Sequence, residues 1–91
     1  MDIKFTRNAW EDFEYWIETD TSIVVKIKEL LVSIRQTPFK DLGKPEPLKH
    51  GLKGYWSRII TQEHRLVYKV SGKKGVDQTC FIIQCRFHYD D

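Results

Sequence analysis

Two apolar stripes at helical spacing, both within the first 36 residues, constrain the fold of this chain more than any other feature. The first stripe is Ala9, Trp10, Phe13, Trp16 and Ile17, and the second is Ile23, Val24, Ile27, Leu30, Leu31 and Ile34. Acidic side chains occupy the opposite side of the first segment, which is typical of an amphipathic helix. Two such helices need a common apolar surface, and one face of a β-sheet can supply it.

The ends of both helices can be predicted from capping residues. Thr6 or Asn8 can cap the first helix, and Asp20 or Thr21 can cap the second. Pro38 ends the second helix because proline disfavours a helical conformation at the residue before it.

Alternating and β-branched segments predict four strands around these helices, over residues 2–5, 55–61, 64–70 and 79–89. In the last strand, Phe81, Ile83, Cys85 and Phe87 form the more apolar side. We expect the helices to cover that side, which would leave Gln84, Arg86 and His88 exposed together with Arg65. The predicted order is β-α-α-β-β-β, with both helices on one face of the sheet.

Length and composition exclude several classes of protein. Ninety-one residues are enough for one hydrophobic core, so we expect a single domain over residues 1–91. No apolar run approaches the roughly 20 residues that span a bilayer, and the first residues lack the pattern of a signal peptide. We expect a cytoplasmic protein. Cys80 and Cys85 form no CxxC motif and the three histidines are scattered, so we expect no metal and no cofactor.

The positive charge of the chain is concentrated in its middle. Residues 37–75 contain nine Lys or Arg and three Asp or Glu, a net +6, whereas the whole chain carries +2. This segment also contains Tyr55, Trp56 and Tyr68, and cations mixed with aromatic rings favour nucleic-acid binding. The alternative is an ordinary solvated lysine-rich surface.

The segment Pro45-Glu46-Pro47 is the strongest candidate for a catalytic position. The two prolines hold Glu46 in a stiff, non-helical loop. With His88 as an acid and Arg65 or Arg86 as a cation, Glu46 completes the set needed to cleave a phosphodiester. Taken singly, Glu46 could be a solvated charge, His88 a histidine with a purely structural hydrogen bond, and Arg65 an ion-pair partner of Glu63.

Several motifs in a fixed order resemble one protein family. They are Tyr15-Trp16, Glu18-Thr19-Asp20, Thr37-Pro38-Phe39, the segment 43–50 (GKPEPLKH), Trp56-Ser57-Arg58, the segment 63–68 (EHRLVY) and the segment 85–89 (CRFHY). Together they resemble the YoeB-type toxins of the RelE superfamily. That resemblance implies an α+β, microbial-RNase-like fold with a twisted, mostly antiparallel sheet. It also implies a ribosome-dependent endoribonuclease that cuts mRNA in the ribosomal A site.

The resemblance also implies roles and partners. Glu46 is expected to be the general base, His88 the general acid and Arg65 the phosphate-stabilising cation, while Lys49, Arg58, Arg86 and Tyr89 are expected to contact substrate. Attack by the 2′-OH would give a 2′,3′-cyclic phosphate and a 5′-OH. The implied partners are a YefM-type antitoxin, the ribosome with its mRNA, and a second copy in a homodimer. Operator DNA would be bound only through the antitoxin complex, and no membrane is involved.

Three departures from the family pattern are visible. Ile59 stands where relatives commonly have a second arginine after Trp56-Ser57-Arg58, Asp90-Asp91 extends the chain, and the turn at residues 72–78 is long. Two other functions therefore remain open. One is a non-catalytic RNA- or ribosome-binding module, and the other is a component of an antitoxin complex that acts mainly in operator repression.

Overall fold

The computed structural model describes residues 1–89, so the Asp90-Asp91 extension lies outside the described range. Its elements are β1 (Asp2–Phe5), α1 (Arg7–Thr19), α2 (Thr21–Gln36), β2 (Glu46–Pro47), a 3-10 turn (His50–Leu52), β3 (Trp56–Ile59), β4 (Arg65–Ser71) and β5 (Thr79–Gln84). Among residues 1–89, no helix is both long and apolar enough to cross a lipid bilayer.

The strands form one mixed sheet in the order β1-β5-β4-β3-β2. β5 inserts between the first strand and β4, where it runs parallel to β1 and antiparallel to β4. The other neighbouring pairs are antiparallel. The predicted α+β class and the mostly antiparallel sheet are therefore confirmed, with β2 as an added short edge strand.

Each helix is capped by one of the two residues predicted for its N-terminus. The Thr6 hydroxyl accepts a hydrogen bond from the Ala9 N–H at 3.2 Å, while Asn8 lies inside α1. Asp20 ends α1 and caps α2 by accepting from the Ser22 N–H at 3.1 Å. One aspartate thus serves both helices, which makes their connection short.

The core lies between the helices and one face of the sheet. Trp16, Ile27 and Leu30 pack there against Leu66, Tyr68, Cys80, Ile82 and Cys85. These sheet residues show that even-numbered positions of β4 and β5 face the helices, since side chains alternate along a strand.

The predicted orientation of the last strand was wrong. Ile82 is buried against the helices, whereas Phe81 is 37% exposed on the opposite face. Further along the strand, the pairing of β5 with β4 shifts by one residue: Tyr68 pairs with Ile82, but Val67 pairs with Gln84. The extra residue is Ile83, and this bulge changes the alternation so that Cys85 is buried again. Both sides of the segment are apolar, so periodicity alone could not identify the buried face.

Arg58 is a second correction, because it has no exposed surface and cannot contact a substrate in this conformation. Its five N–H groups donate to Tyr68 Oη (3.1 Å), Ser33 Oγ (2.7 Å), Leu42 O (2.8 Å), Thr37 O (2.6 Å) and Lys40 O (2.9 Å). Burial raises the pKa of Tyr68, so its hydroxyl stays protonated and donates to Pro38 O. The Arg58 guanidinium on β3 is therefore hydrogen-bonded to α2, to the loop after α2 and to Tyr68 on β4, and every acceptor is neutral.

Replacement of Arg58 by methionine tests this structural role. Several buried acceptors would each lose a partner at about 1–3 kcal/mol, so we expect Arg58→Met to lower the free energy of unfolding by about 3 kcal/mol or more. Arg35→Met, at an exposed position of α2, is the matched control and should change it by less than about 0.5 kcal/mol. Urea denaturation gives both values. Wild-type stability in Arg58→Met would contradict the assigned role.

Candidate functional site

The face of the sheet opposite the helices carries the candidate site, and we call it the open face. On β4 the residues that alternate with buried Leu66 and Tyr68 are Arg65, Val67 and Lys69. Their cross-strand partners include Ile59 and Ser57 on β3 and Phe81 on β5. Directly paired residues share a face, so these side chains lie on one side of the sheet, where Val67 and Ser57 are themselves buried.

Glu46 lies at the edge of this face, on the two-residue strand β2. Its partner on β3 is Ser57, and its side chain is exposed. The flanking prolines lack N–H donors, which an edge strand tolerates. On one side Leu48 N–H donates to Tyr55 O at 2.9 Å, and on the other Ile59 N–H donates to Gly43 O at 2.8 Å. The carboxylate is therefore held on a short, doubly anchored segment.

Gly43 allows that segment to lie close to the core. Its φ is +82°, and a Cβ at this position would lie 2.7 Å from Leu30 Cδ2. A larger residue would displace the segment that precedes Glu46.

Arg65 lies opposite Ile59, one row along from the pair of Glu46 and Ser57. Its Nη1 donates to Thr61 O at 2.7 Å, Gln62 O at 3.0 Å and His64 O at 3.1 Å. This half-buried guanidinium closes the turn between β3 and β4, which fixes its position.

The last residues of the chain reach the site because Cys85 is fastened to α1. The Cys85 N–H donates to Asp12 Oδ2 at 3.1 Å, and Trp16 Nε1 donates to Cys85 O at 2.8 Å. Burial raises the pKa of the Cys85 thiol to about 12, so the protonated Sγ donates to Ala9 O at 3.4 Å. Burial also raises the pKa of Asp12, whose carboxylate accepts the Cys85 N–H.

A second attachment holds Phe87, two residues later. Its N–H donates to His64 Nδ1 at 2.7 Å, and its carbonyl accepts from the Arg65 N–H at 3.0 Å. The His64 ring packs edge-on against Trp16, with 4.7 Å between centroids. Sequence reasoning missed His64, because 23 residues separate it from Phe87 and no local pattern links them.

These attachments direct the end of the chain so that Tyr89 reaches Ser57 on the open face. The exposed His88 ring lies 4.7 Å from the Tyr89 ring. Ser57 Oγ donates to the Tyr89 hydroxyl at 3.4 Å, and Ser57 is also the strand partner of Glu46. Glu46 and Tyr89 therefore both adjoin Ser57, while Arg65 lies in the adjacent row and His88 precedes Tyr89 in the chain. A carboxylate that can accept a proton and a guanidinium that can bind an anion thus lie on one face, and an exposed imidazole that can donate a proton lies beside the Tyr89 ring at Ser57.

Arg86 and Lys49, the other predicted substrate contacts, lie outside the row that contains Glu46 and Ser57. The Arg86 guanidinium stacks on Tyr15 of α1, with Cζ 3.5 Å from the ring centroid, so it is not on the open face as predicted. It lies beside His88, since both line a cavity of about 370 Å³ next to α1. Lys49 is exposed and directly precedes the 3-10 turn that follows β2. In the part of the chain that the structure describes, no three His, Cys, Asp or Glu side chains are grouped closely enough to hold a metal ion.

Comparison with known proteins gives consistent matches. A family described as "YoeB-like toxin of bacterial type II toxin-antitoxin system" matches residues 5–89. Toxin YoeB of Escherichia coli (strain K12) is 52% identical over 89 residues, which cover 98% of this chain and all of the relative. Each of these matches extends over nearly the whole chain.

Solved structures agree with the sequence matches. A YoeB/ParE toxin from Agrobacterium tumefaciens has a TM-score of 0.92 and 52% identity, and the match covers 98% of this chain and all of that chain. Two structures from Staphylococcus aureus are also similar, a YoeB dimer (TM-score 0.86, 43% identity) and a YoeB-YefM complex (TM-score 0.85, 41% identity), each with 98% of both chains covered.

Variants of His64 test its role in positioning the last residues. In His64→Leu the Phe87 N–H loses its acceptor, a bond worth about 0.5–1.5 kcal/mol, so we expect its amide hydrogen exchange to accelerate roughly 2- to 10-fold. His64→Asn should stay close to wild type, since Asn Oδ1 can replace Nδ1 as the acceptor. His50→Asn, at an exposed histidine, serves as the control. Equal exchange in wild type and His64→Leu would show that the bond does not hold this segment.

Proposed function

The chain belongs to the family of YoeB-like toxins of bacterial type II toxin–antitoxin systems, and from this premise we propose that it is a ribosome-dependent endoribonuclease. Its proposed substrate is mRNA in the ribosomal A site. The observation that carries the proposal is that Glu46 and Tyr89 both adjoin Ser57, with Arg65 in the adjacent row of the same face and the His88 ring beside Tyr89.

The proposed reaction uses the 2′-OH of the RNA as the nucleophile. Glu46 removes the 2′-OH proton, and the 2′-oxygen then attacks the adjacent phosphorus. His88 gives a proton to the departing 5′-oxygen as the P–O bond breaks. The products are a 2′,3′-cyclic phosphate and a 5′-OH. The doubly anchored β2 segment and the hydrogen-bonded C-terminal residues support these roles, since both groups are held by backbone contacts.

Arg65 is the proposed stabiliser of the negative charge on the phosphorane. Its Nη1 is occupied by the carbonyls of the β3–β4 turn, so Nε and Nη2 are the nitrogens that would face the phosphate. Its neighbour across the strands is Ile59, which supplies no charge. Because Arg58 is buried, it cannot replace the missing cation. Transition-state charge would therefore rest mainly on Arg65, with Lys49 and Tyr89 as substrate contacts.

The proposed partner is an acidic antitoxin segment of the YefM type, and we also propose that the chain dimerises. The two Staphylococcus aureus structures, a YoeB-YefM complex and a YoeB dimer, support both proposals. Binding to operator DNA would occur through the antitoxin complex. The net positive charge of residues 37–75 favours an acidic ligand.

Single substitutions of Glu46 and His88 test the acid–base assignment. Loss of a positioned acid or base costs about 10²–10⁴-fold in rate, so Glu46→Gln and His88→Gln should each lower single-turnover cleavage on programmed ribosomes by a factor in that range. The double variant should lose much less than the product of both factors, because the two groups act on one reaction.

Glu29→Gln, at an exposed glutamate of α2, controls for the removal of a negative charge. Sedimentation with ribosomes separates binding from chemistry. Wild-type cleavage rates in Glu46→Gln and His88→Gln would overturn the acid–base assignment, whereas ribosome binding without any cleavage by the wild-type protein would identify a non-catalytic binding module.

Dependence on the ribosome is a separate prediction. The candidate groups lie on an open, exposed surface, and the ribosome would supply much of the positioning of the message. We expect purified toxin at physiological salt to cut free mRNA far more slowly than the same mRNA bound in a programmed ribosome. Primer-extension mapping of the 5′ ends measures both rates. Equal rates on the two substrates would exclude ribosome dependence.

A further inference from the structure

Four side chains form a second row across the open face, next to the row that contains Ser57. Phe81 on β5 pairs with Lys4 on β1 and with Lys69 on β4. The Lys69 ammonium lies over the Tyr55 ring, 5.5 Å from its centroid. We call Lys4, Phe81, Lys69 and Tyr55 the aromatic row. Two aromatic rings thus alternate with two cations across four neighbouring chain segments.

Phe81 lies on the face of the sheet away from the hydrophobic core, so packing of the core does not explain an aromatic side chain at this position. Its neighbours in sequence, Cys80 and Ile82, are completely buried against the helices, while 37% of the Phe81 side chain remains exposed on the other face. β5 is an internal strand, so this ring lies within the sheet surface and not at an edge. An exposed aromatic ring between two lysines on a flat surface is a typical arrangement for stacking a base while cations bind its phosphates.

A groove adjoins the row. It has a volume of about 300 Å³ and is lined by Thr6, Tyr55, Lys69, Ser71, Phe81 and Ile83. This volume is at the lower end of ligand sites, which suits one nucleotide better than a larger ligand. The lining combines two aromatic rings, an ammonium group and three hydroxyl groups, so it matches the base, phosphate and sugar of a nucleotide.

The row is continuous with the proposed catalytic site. On β4, Lys69 is two residues from Val67, which is the strand partner of Ser57, so the rows are about 7 Å apart. An extended nucleotide can span such a distance. RNA bound across Glu46 and Arg65 could therefore place its neighbouring nucleotide on the aromatic row.

We propose that the aromatic row is a second subsite, which binds one single-stranded mRNA nucleotide next to the scissile phosphate. The base stacks on Phe81, and Lys4 and Lys69 on either side of that ring contact the flanking phosphates, while the Tyr55 ring holds the Lys69 ammonium in place. This subsite deepens the proposed nuclease function and rests on it. Charge complementarity and continuity with the row of Ser57 favour mRNA as the occupant.

The first experiment measures binding of a 2′-O-methyl hexanucleotide, which cannot be cleaved, to the free toxin at low ionic strength by fluorescence anisotropy. Stacking contributes about 1–3 kcal/mol per base, so Phe81→Leu should raise the Kd roughly 5- to 150-fold. Leucine keeps the apolar bulk and the strand, and only the aromatic face is lost. Phe81→Trp should restore binding. Phe39→Leu, at an exposed aromatic residue outside the row, should leave the Kd unchanged.

The lysines are tested through the salt dependence of the same binding. Each phosphate contact on a single strand contributes about 0.7 to the slope of log K against log salt. Lys4→Ala and Lys69→Ala should each reduce the slope by about that amount, while Lys28→Ala on α2 should not. Unchanged slopes in both row variants would overturn the phosphate contacts.

Cleavage assays separate this subsite from the nuclease function. On programmed ribosomes, Phe81→Leu should raise KM and change kcat by less than about twofold. Wild-type hexanucleotide binding and KM in Phe81→Leu, with normal cleavage, would overturn the subsite and leave the nuclease intact. Weakened binding in a protein that cleaves no mRNA would support the subsite and refute the nuclease. If Phe81→Leu weakened only the antitoxin complex or the dimer, the row would be a protein interface and the subsite would be wrong.

Discussion

The attachment of Cys85 to α1 is the interaction on which the site depends. Three hydrogen bonds, from the Cys85 N–H to Asp12, from Trp16 to its carbonyl and from its thiol to Ala9, direct the chain out of β5. β5 itself ends at Gln84, so without this anchor the last residues would have no defined path. The His64 contact to Phe87 then carries the chain onto the open face. A helix that builds the core thus also determines where His88 lies.

Two arginines show how burial separates structure from function. Arg58 and Arg65 are near neighbours across β3 and β4, and both donate to loop carbonyls. Arg58 uses all five donors inside the protein and has no exposed surface, so it stabilises the loop that leads to β2. Arg65 uses Nη1 for the turn and is half-buried, so part of its guanidinium can serve a ligand. The same side chain is structural on one face of the sheet and available on the other.

The open face has few cations close to Glu46, and this shapes the proposed chemistry. Ile59 faces Arg65 without adding charge, while Arg86 is directed towards Tyr15 on α1. Lysines reappear one row further along, beside Phe81. Positive charge on this face is therefore spread along a line, which suits an extended polyanion better than a compact one. The distribution agrees with a polymer substrate held at several points.

Much of the fold and part of the site were determined by sequence alone. The 3.6-residue stripes required two helices on one side of a sheet, and Pro45 and Pro47 required an extended Glu46, because these preferences act over a few neighbouring residues. The ordered motifs identified the family, and they are the source of the proposed set of Glu46, Arg65 and His88.

Only the tertiary structure decided which side of β5 is buried, that Arg58 lies inside, that β1 runs parallel to β5, and that His64 holds Phe87. Both sides of the 79–83 segment are apolar, and one bulge reverses its alternation. These features depend on contacts between residues distant in sequence, whose energies no local pattern records.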